Sequence, residues 1–218
     1  MSRRTATINQ IRAFLIEPGI TVRKGLRALK NSFETILEER MDEISPRMRT
    51  ILIGLYGDWL WLDDRIETVS KEIEVISCTE ENCVNVMTIP GIGPMISTAI
   101  VAAIGTGEAF GRGRDFAAWV GLVPRQYSTW GRTVLGRITK RGSLYLRMLF
   151  VQAAKVILMR TNRWPDFSFG DWLTKAAERM NRNKLAVALA NKLARMAWSI
   201  LRHKTAFDAQ RDGVAIGV

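Results

Sequence analysis

The chain has 218 residues, 47% hydrophobic and 24% charged, a balance that excludes a mainly disordered protein and leaves room for one or two domains with real cores. Lys and Arg number 32 against 21 Asp and Glu, so the net charge of +11 points to a polyanionic partner, nucleic acid or an anionic membrane surface. Cys78 and Cys83 cannot build a disulfide framework, and with the single His203 they lack zinc-ligand spacing, so the chain reads as reduced and intracellular.

Met1-Ser2-Arg3-Arg4 is basic, but no apolar run of useful length follows, so no secretory signal is expected. Ile8, Ile11, Phe14 and Leu15 predict a helix over 5–17, ended by Pro18-Gly19. Leu26, Leu29, Phe33, Ile36 and Leu37 form one stripe of a second helix over 22–40. Ser45-Pro46 is a helix start, with Ser as N-cap and Pro at the first helical position. From there to about Ile76, apolar residues recur at Ile51, Leu55, Trp59, Leu62, Ile66, Val69, Ile73 and Ile76. Their spacing approaches a heptad and predicts a long coiled-coil-like helix, paired within the chain or across a homo-oligomer. Residues 82–107 contain no charged side chain, but Pro90, Pro94 and four glycines interrupt them; a buried turn and helix is expected rather than a membrane span.

Within that stretch, Thr88-Ile89-Pro90-Gly91-Ile92-Gly93-Pro94 precedes an apolar helix over 95–104, a pattern similar to the hairpin of helix-hairpin-helix DNA-binding modules. Gly91 and Gly93 would let the backbone approach a phosphate at a helix N-terminus. Residues 116–165 contain no Asp or Glu but carry Arg125, Arg132, Arg137, Lys140, Arg141, Arg147, Lys155, Arg160 and Arg163. A solvated face normally mixes signs, so this block reads as a nucleic-acid footprint, with Arg125, Arg132, Arg137, Lys140, Arg141 and Arg147 as the expected phosphate contacts. Pro124–Lys140 has little apolar periodicity and reads as a polar loop between two apolar helices. Ser128 and Thr129 are hydroxyls among those arginines, and either is a candidate for phosphoryl transfer. Tyr127 and Trp130 flank them and could stack on a base or cover the site. Trp59, Trp61, Trp119, Trp172 and Trp198 read as core or seam. Helices are predicted over 144–159, 172–180 and 185–201, with a loosely ordered tail from 206.

Three blocks, Ile89-Pro90-Gly91-Ile92-Gly93, the run from Phe116 to Arg125, and Ile138-Thr139-Lys140-Arg141-Gly142 with Leu146-Arg147, resemble the C-terminal domain of the insertion-sequence one-ten family transposases, especially their eleven-eleven branch. Thr5–Arg12 and the final helix are similar too, so the resemblance covers nearly the whole chain. It implies an all-α architecture: a helical linker or dimerisation region over 1–80, a compact transposase domain over 81–205 and a tail over 206–218. It further implies a serine nucleophile, mapped to Ser128 with Thr129 as the register-shifted alternative. A RuvC-like domain holding Mg²⁺ on an acidic tetrad and a structured bridge RNA that pairs with DNA complete the implied machinery. Two departures stand out. Trp130 precedes Gly131 where a glycine commonly follows the hydroxyl pair, and the RuvC-like domain does not match within this chain. No cofactor is therefore expected on these residues, and the chain alone is expected to be inactive; a non-catalytic nucleic-acid-binding role is the alternative.

Overall fold

Ser45 caps the long helix as its sequence predicts: its Oγ accepts from the Met48 amide at 3.3 Å. The computed structural model, which describes residues 2–208 apart from the Met41 side chain, runs this helix from Pro46 to Thr79 (α3). Before it come α1 (Ser2–Ile16) and α2 (Leu26–Glu39). The chain divides into two compact units, Met1–Glu72 and Ile73 onward.

In the first unit Ile8, Ile11 and Leu15 of α1, Leu29, Phe33 and Leu37 of α2, and Leu52 and Trp59 of α3 close one core. Tyr56 stacks on Phe33 with ring centroids 4.1 Å apart. Burying each such large side chain is worth about 1.5–3 kcal/mol. Arg4 pairs with Asp63 at 3.0 Å, which ties α1 to α3. The heptad is thus split in use. Of its positions Trp59 is buried and Leu55, Leu62, Ile66 and Ile73 are half-buried, whereas Ile51, Val69 and Ile76 are exposed; Leu52, one residue off the expected stripe, is buried in place of Ile51. Of the tryptophans expected in core or seam, Trp59 is buried, whereas Trp61 and, to a lesser degree, Trp119 are exposed.

The second unit is built on α9 (Arg182–His203), whose Leu185, Leu189, Leu193, Ala186, Ala190, Ala194 and Ala197 are buried. The small alanines let α7 (Leu144–Met159) and α6 (Gly113–Val120) approach closely. The helices α4 (Glu81–Met87), α5 (Pro94–Ile104) and α8 (Gly170–Arg179) complete the core. Asn181 caps α9 by accepting from the Lys184 amide at 2.9 Å. Phe207, in the expected tail, packs against this core and donates its amide to Thr88 Oγ1 at 2.8 Å; residues 209–218 of that tail lie outside the described residues.

The fold is predominantly helical, as expected, with one correction. Pro124–Lys140 is not a loop. It forms a two-stranded antiparallel hairpin, β1 (Pro124–Thr129) and β2 (Arg132–Ile138). Val134, Leu135 and the β-branched Thr129 and Thr133 favour extended backbone, and Gly131 supplies the positive φ that a tight turn needs.

Candidate nucleic-acid interface

The hairpin rises directly from the helical core and is anchored at its base. Gly121 ends α6 in the left-handed conformation, φ +81°, and a Cβ there would lie 2.1 Å from the Arg141 carbonyl oxygen. Glycine is therefore what allows the end of α6 and the segment after β2 to touch backbone to backbone. Across that contact the Thr139 amide donates to Val123 O at 2.9 Å and Lys140 to Gly121 O at 3.2 Å. Arg147, on α7, closes the junction: its Nη1 donates to Val120 O at 2.9 Å and to Arg141 O at 3.2 Å. Its side chain is buried. Arg147 is accordingly removed from the expected phosphate contacts; it is a positioning residue for the hairpin.

Beyond the base both strands are exposed on both faces. Ser128 pairs across the ladder with Thr133, and Gln126 with Leu135, so these four share one face. Gln126 Nε2 donates to Ser128 Oγ at 2.8 Å. Thr129 pairs with Arg132 and Tyr127 with Val134, which puts Thr129 on the opposite face. The two candidate nucleophiles therefore point in opposite directions. The register shifts between Gln126↔Leu135 and Pro124↔Ile138, so Arg125 stands opposite the Gly136–Arg137 step. Such a bulge brings two arginines together at the base of the ribbon. A Cβ at Gly136 would lie 3.1 Å from Tyr127 Cε2, so Gly136 gives the Tyr127 ring its place.

Beside the bulge, Arg125, Gln126, Tyr127, Thr139 and Arg141 line a cleft of about 410 Å³. The buried Thr139 Oγ1 has no hydrogen-bond partner there. Two guanidiniums, an amide and a phenol suit a phosphodiester. Arg125, Arg132, Arg137, Lys140 and Arg141 are all on or beside the hairpin with accessible side chains. Of the contributors, Gln126 and Thr139 were not legible as functional; an i, i+2 pairing on a strand would have found Gln126 once the stretch was read as extended.

At the Pro-Gly turn the two glycines differ in what they do. Gly91 has φ +84°, and a Cβ would meet Ile157 Cδ1 at 2.8 Å, so it serves a tight, close-packed turn. Gly93 is extended, with open space around it. At the N-terminus of α5, Pro94 has no N–H, and the amides of Ile96 and Ser97 both donate to Gly93 O at 3.0 Å. Few donors remain for an anion.

Among the described residues no group of three or more His, Cys, Asp or Glu is arranged to hold a metal, and no helix is long and apolar enough to cross a membrane. The acids of α3 are used on the surface, as in the Glu67–Lys71 pair at 2.7 Å.

Residues 83–168, which hold the hairpin and its base, match the family model described as the transposase IS116/IS110/IS902 family. The transposase for insertion sequence element IS1328 of Yersinia enterocolitica is 36% identical over 204 residues, 94% of this chain and 60% of that protein. The transposase for insertion sequence element IS1111A of Coxiella burnetii is 34% identical over the same share of this chain and 56% of its own. A pilin gene-inverting protein of Moraxella bovis is 26% identical over 76% of this chain and 54% of its own. The chain spans little more than half the length of these relatives, and within that span it belongs to the IS116/IS110/IS902 family of insertion-sequence transposases.

Proposed function

We propose that this chain is the strand-gripping and nucleophile-bearing part of a DNA transposase, with Ser128 as the attacking residue. The observation that carries this is the outward hairpin, which holds Ser128 Oγ against Gln126 Nε2 within an acid-free, arginine-rich stretch. Arg125, Arg137 and Arg141 at the base and Lys140 beside them would neutralise phosphates of the bound strand, with Arg132 near the tip, on the face opposite Ser128, adding to the positive field. In the step itself a Ser128 Oγ–P bond forms and the P–O bond to the leaving strand breaks. The serine proton passes to water or a base, and the departing oxygen takes up a proton to leave as a hydroxyl. The phosphoserine ester conserves the bond for rejoining to a new strand. Gln126, donating to Oγ, orients a lone pair and leaves the hydroxyl hydrogen free to depart.

By resemblance, Mg²⁺ belongs to a RuvC-like domain, a structured RNA chooses the DNA, and the chain alone is inactive. The open stripe of Leu62, Ile66, Val69, Ile73 and Ile76 on α3 supports homo-oligomerisation through the long helices. The reading is tested by mixing the chain with the part of the IS1328 relative that it does not span, an RNA copied from the element's own flanks, and end-labelled DNA. After denaturation, labelled DNA should stay attached to this chain and be lost with Ser128→Ala but not Thr129→Ala. Adducts that survive Ser128→Ala would refute the assignment. The second reading, a non-catalytic nucleic-acid-binding protein, is favoured by the absence of any Asp or Glu in residues 116–165 that could take the serine proton. It predicts salt-dependent binding and no adduct with any partner.

A further inference from the structure

The hairpin tip carries the least expected side chain of the ribbon. Trp130 and Gly131 are the two turn residues, with φ +46° and +78°. Positive φ at both positions is the signature of a two-residue type I′ turn, where Asn-Gly is favoured and a bulky side chain is strained. Nothing in the turn's own energetics favours an indole there. Trp130 is nevertheless completely exposed, at 106% relative accessibility, and takes part in none of the ring contacts seen among the described residues. The other tryptophan of the hairpin's neighbourhood, Trp119, packs on Phe110 and Phe116. Arg132 directly follows the turn, and the nearest acids in sequence are Asp115 and Asp166.

From this geometry we propose that Trp130 is a base-stacking residue, carried at the tip of the basic ribbon to cover the exposed face of an unpaired nucleotide. The proposal rests on the nucleic-acid reading above and goes beyond it by assigning the tip a ligand. The indole gives a large flat π-face, and the neighbouring arginines give charge complementarity to the flanking phosphates. An unpaired base is the occupant because base faces inside a duplex are already stacked, and entering a duplex step requires unstacking it first. Single-stranded DNA and unpaired RNA present the same chemistry, and the test separates them.

The test uses the full chain with labelled DNA and RNA duplexes, each continuous or carrying an internal bubble with 2-aminopurine at an unpaired position. The wild-type chain should bind the bubble about 5- to 100-fold more tightly than the continuous duplex and quench the 2-aminopurine. Trp130→Asn is the informative variant, because asparagine tolerates positive φ and so keeps or improves the turn. It should keep the duplex affinity and its salt dependence while losing the bubble preference and the quenching. Trp130→Phe should recover most of both. Whichever nucleic acid shows the preference is the source of the base. Retained preference in Trp130→Asn, or an equal loss on duplex and bubble, overturns the assignment. No binding of any oligonucleotide by the wild-type chain at low salt overturns the nucleic-acid reading itself, and this inference with it.

Discussion

Replacing Arg147 by Met separates an arginine that builds the hairpin base from one that grips phosphate. Methionine keeps most of the apolar stem packed on α7 and removes the guanidinium, whose Nη1 serves Val120 O at 2.9 Å and Arg141 O at 3.2 Å. Each hydrogen bond from a charged donor is worth about 1.5–3 kcal/mol, and two carbonyls are left short of a partner at a buried junction. Because methionine retains the packing, a loss of about 3 kcal/mol is expected. In a domain of this size that lowers the melting temperature by about 6–12 °C. Thermal denaturation followed by circular dichroism measures it, alongside a salt titration of duplex binding. Below the melting range the salt slope should be nearly unchanged, since Arg147 contacts no phosphate. Unaltered stability together with a slope smaller by about one charge is the surface-arginine result, and it would refute the positioning role.

The glycines of the same region divide sharply. Gly121→Ala should destabilise by more than about 2 kcal/mol, from positive φ and a backbone clash with Arg141 O, whereas Gly93→Ala, extended and in open space, should stay within about 0.5 kcal/mol by urea unfolding. On α3, Val69→Asp puts a charge into the open apolar stripe and should shift sedimentation toward the monomer without lowering the helical signal. Cys78 is exposed and should react with iodoacetamide well before the buried Cys83, as mass spectrometry of digests would register. Burial pushes the Cys83 thiol above its usual range. A raised folded value favours the neutral form, so its contribution is intact below the ordinary thiol range and fades as pH rises past it; Cys83→Ala should flatten that alkaline loss of stability.

The helices were legible because their signals are local. The 144–159 helix is found where predicted, and the Ser45-Pro46 start holds to the residue. The hairpin was not legible, because its alternation is hidden. Polar Gln126 and Ser128 share a face with Thr133 and Leu135, so neither face is uniformly apolar and a period of two does not stand out. The turn was masked too, since Trp-Gly lacks the Asn-Gly or Asp-Gly pair that marks a type I′ turn. Of the six arginines and lysines expected to meet phosphate, five are on or beside the hairpin with accessible side chains. The exception, Arg147, follows from the bond of its guanidinium to Val120 O, 27 residues away, which no local spacing encodes.

The architecture also says where the precision of the site must come from. A two-stranded ribbon open on both faces has little burial of its own, and in water such a hairpin is at best marginal. What fixes it is the base: glycine-permitted backbone contact at Gly121, two cross-strand amide bonds, and the Arg147 guanidinium tying α6 to the segment before α7. Ser128 lies several residues up the ribbon from that anchor, on one face, while Thr129 lies on the other. Small changes at the base therefore tilt both strands as a unit, whereas a one-residue slip in register would exchange the two hydroxyls. The bulge between Arg125 and Gly136–Arg137 sets the register locally, and Arg125 of that bulge lines the cleft together with Arg141. On the proposed reading, one junction thus sets both which hydroxyl faces the strand and where the arginines stand, although Ser128 and Arg147 are far apart along the chain.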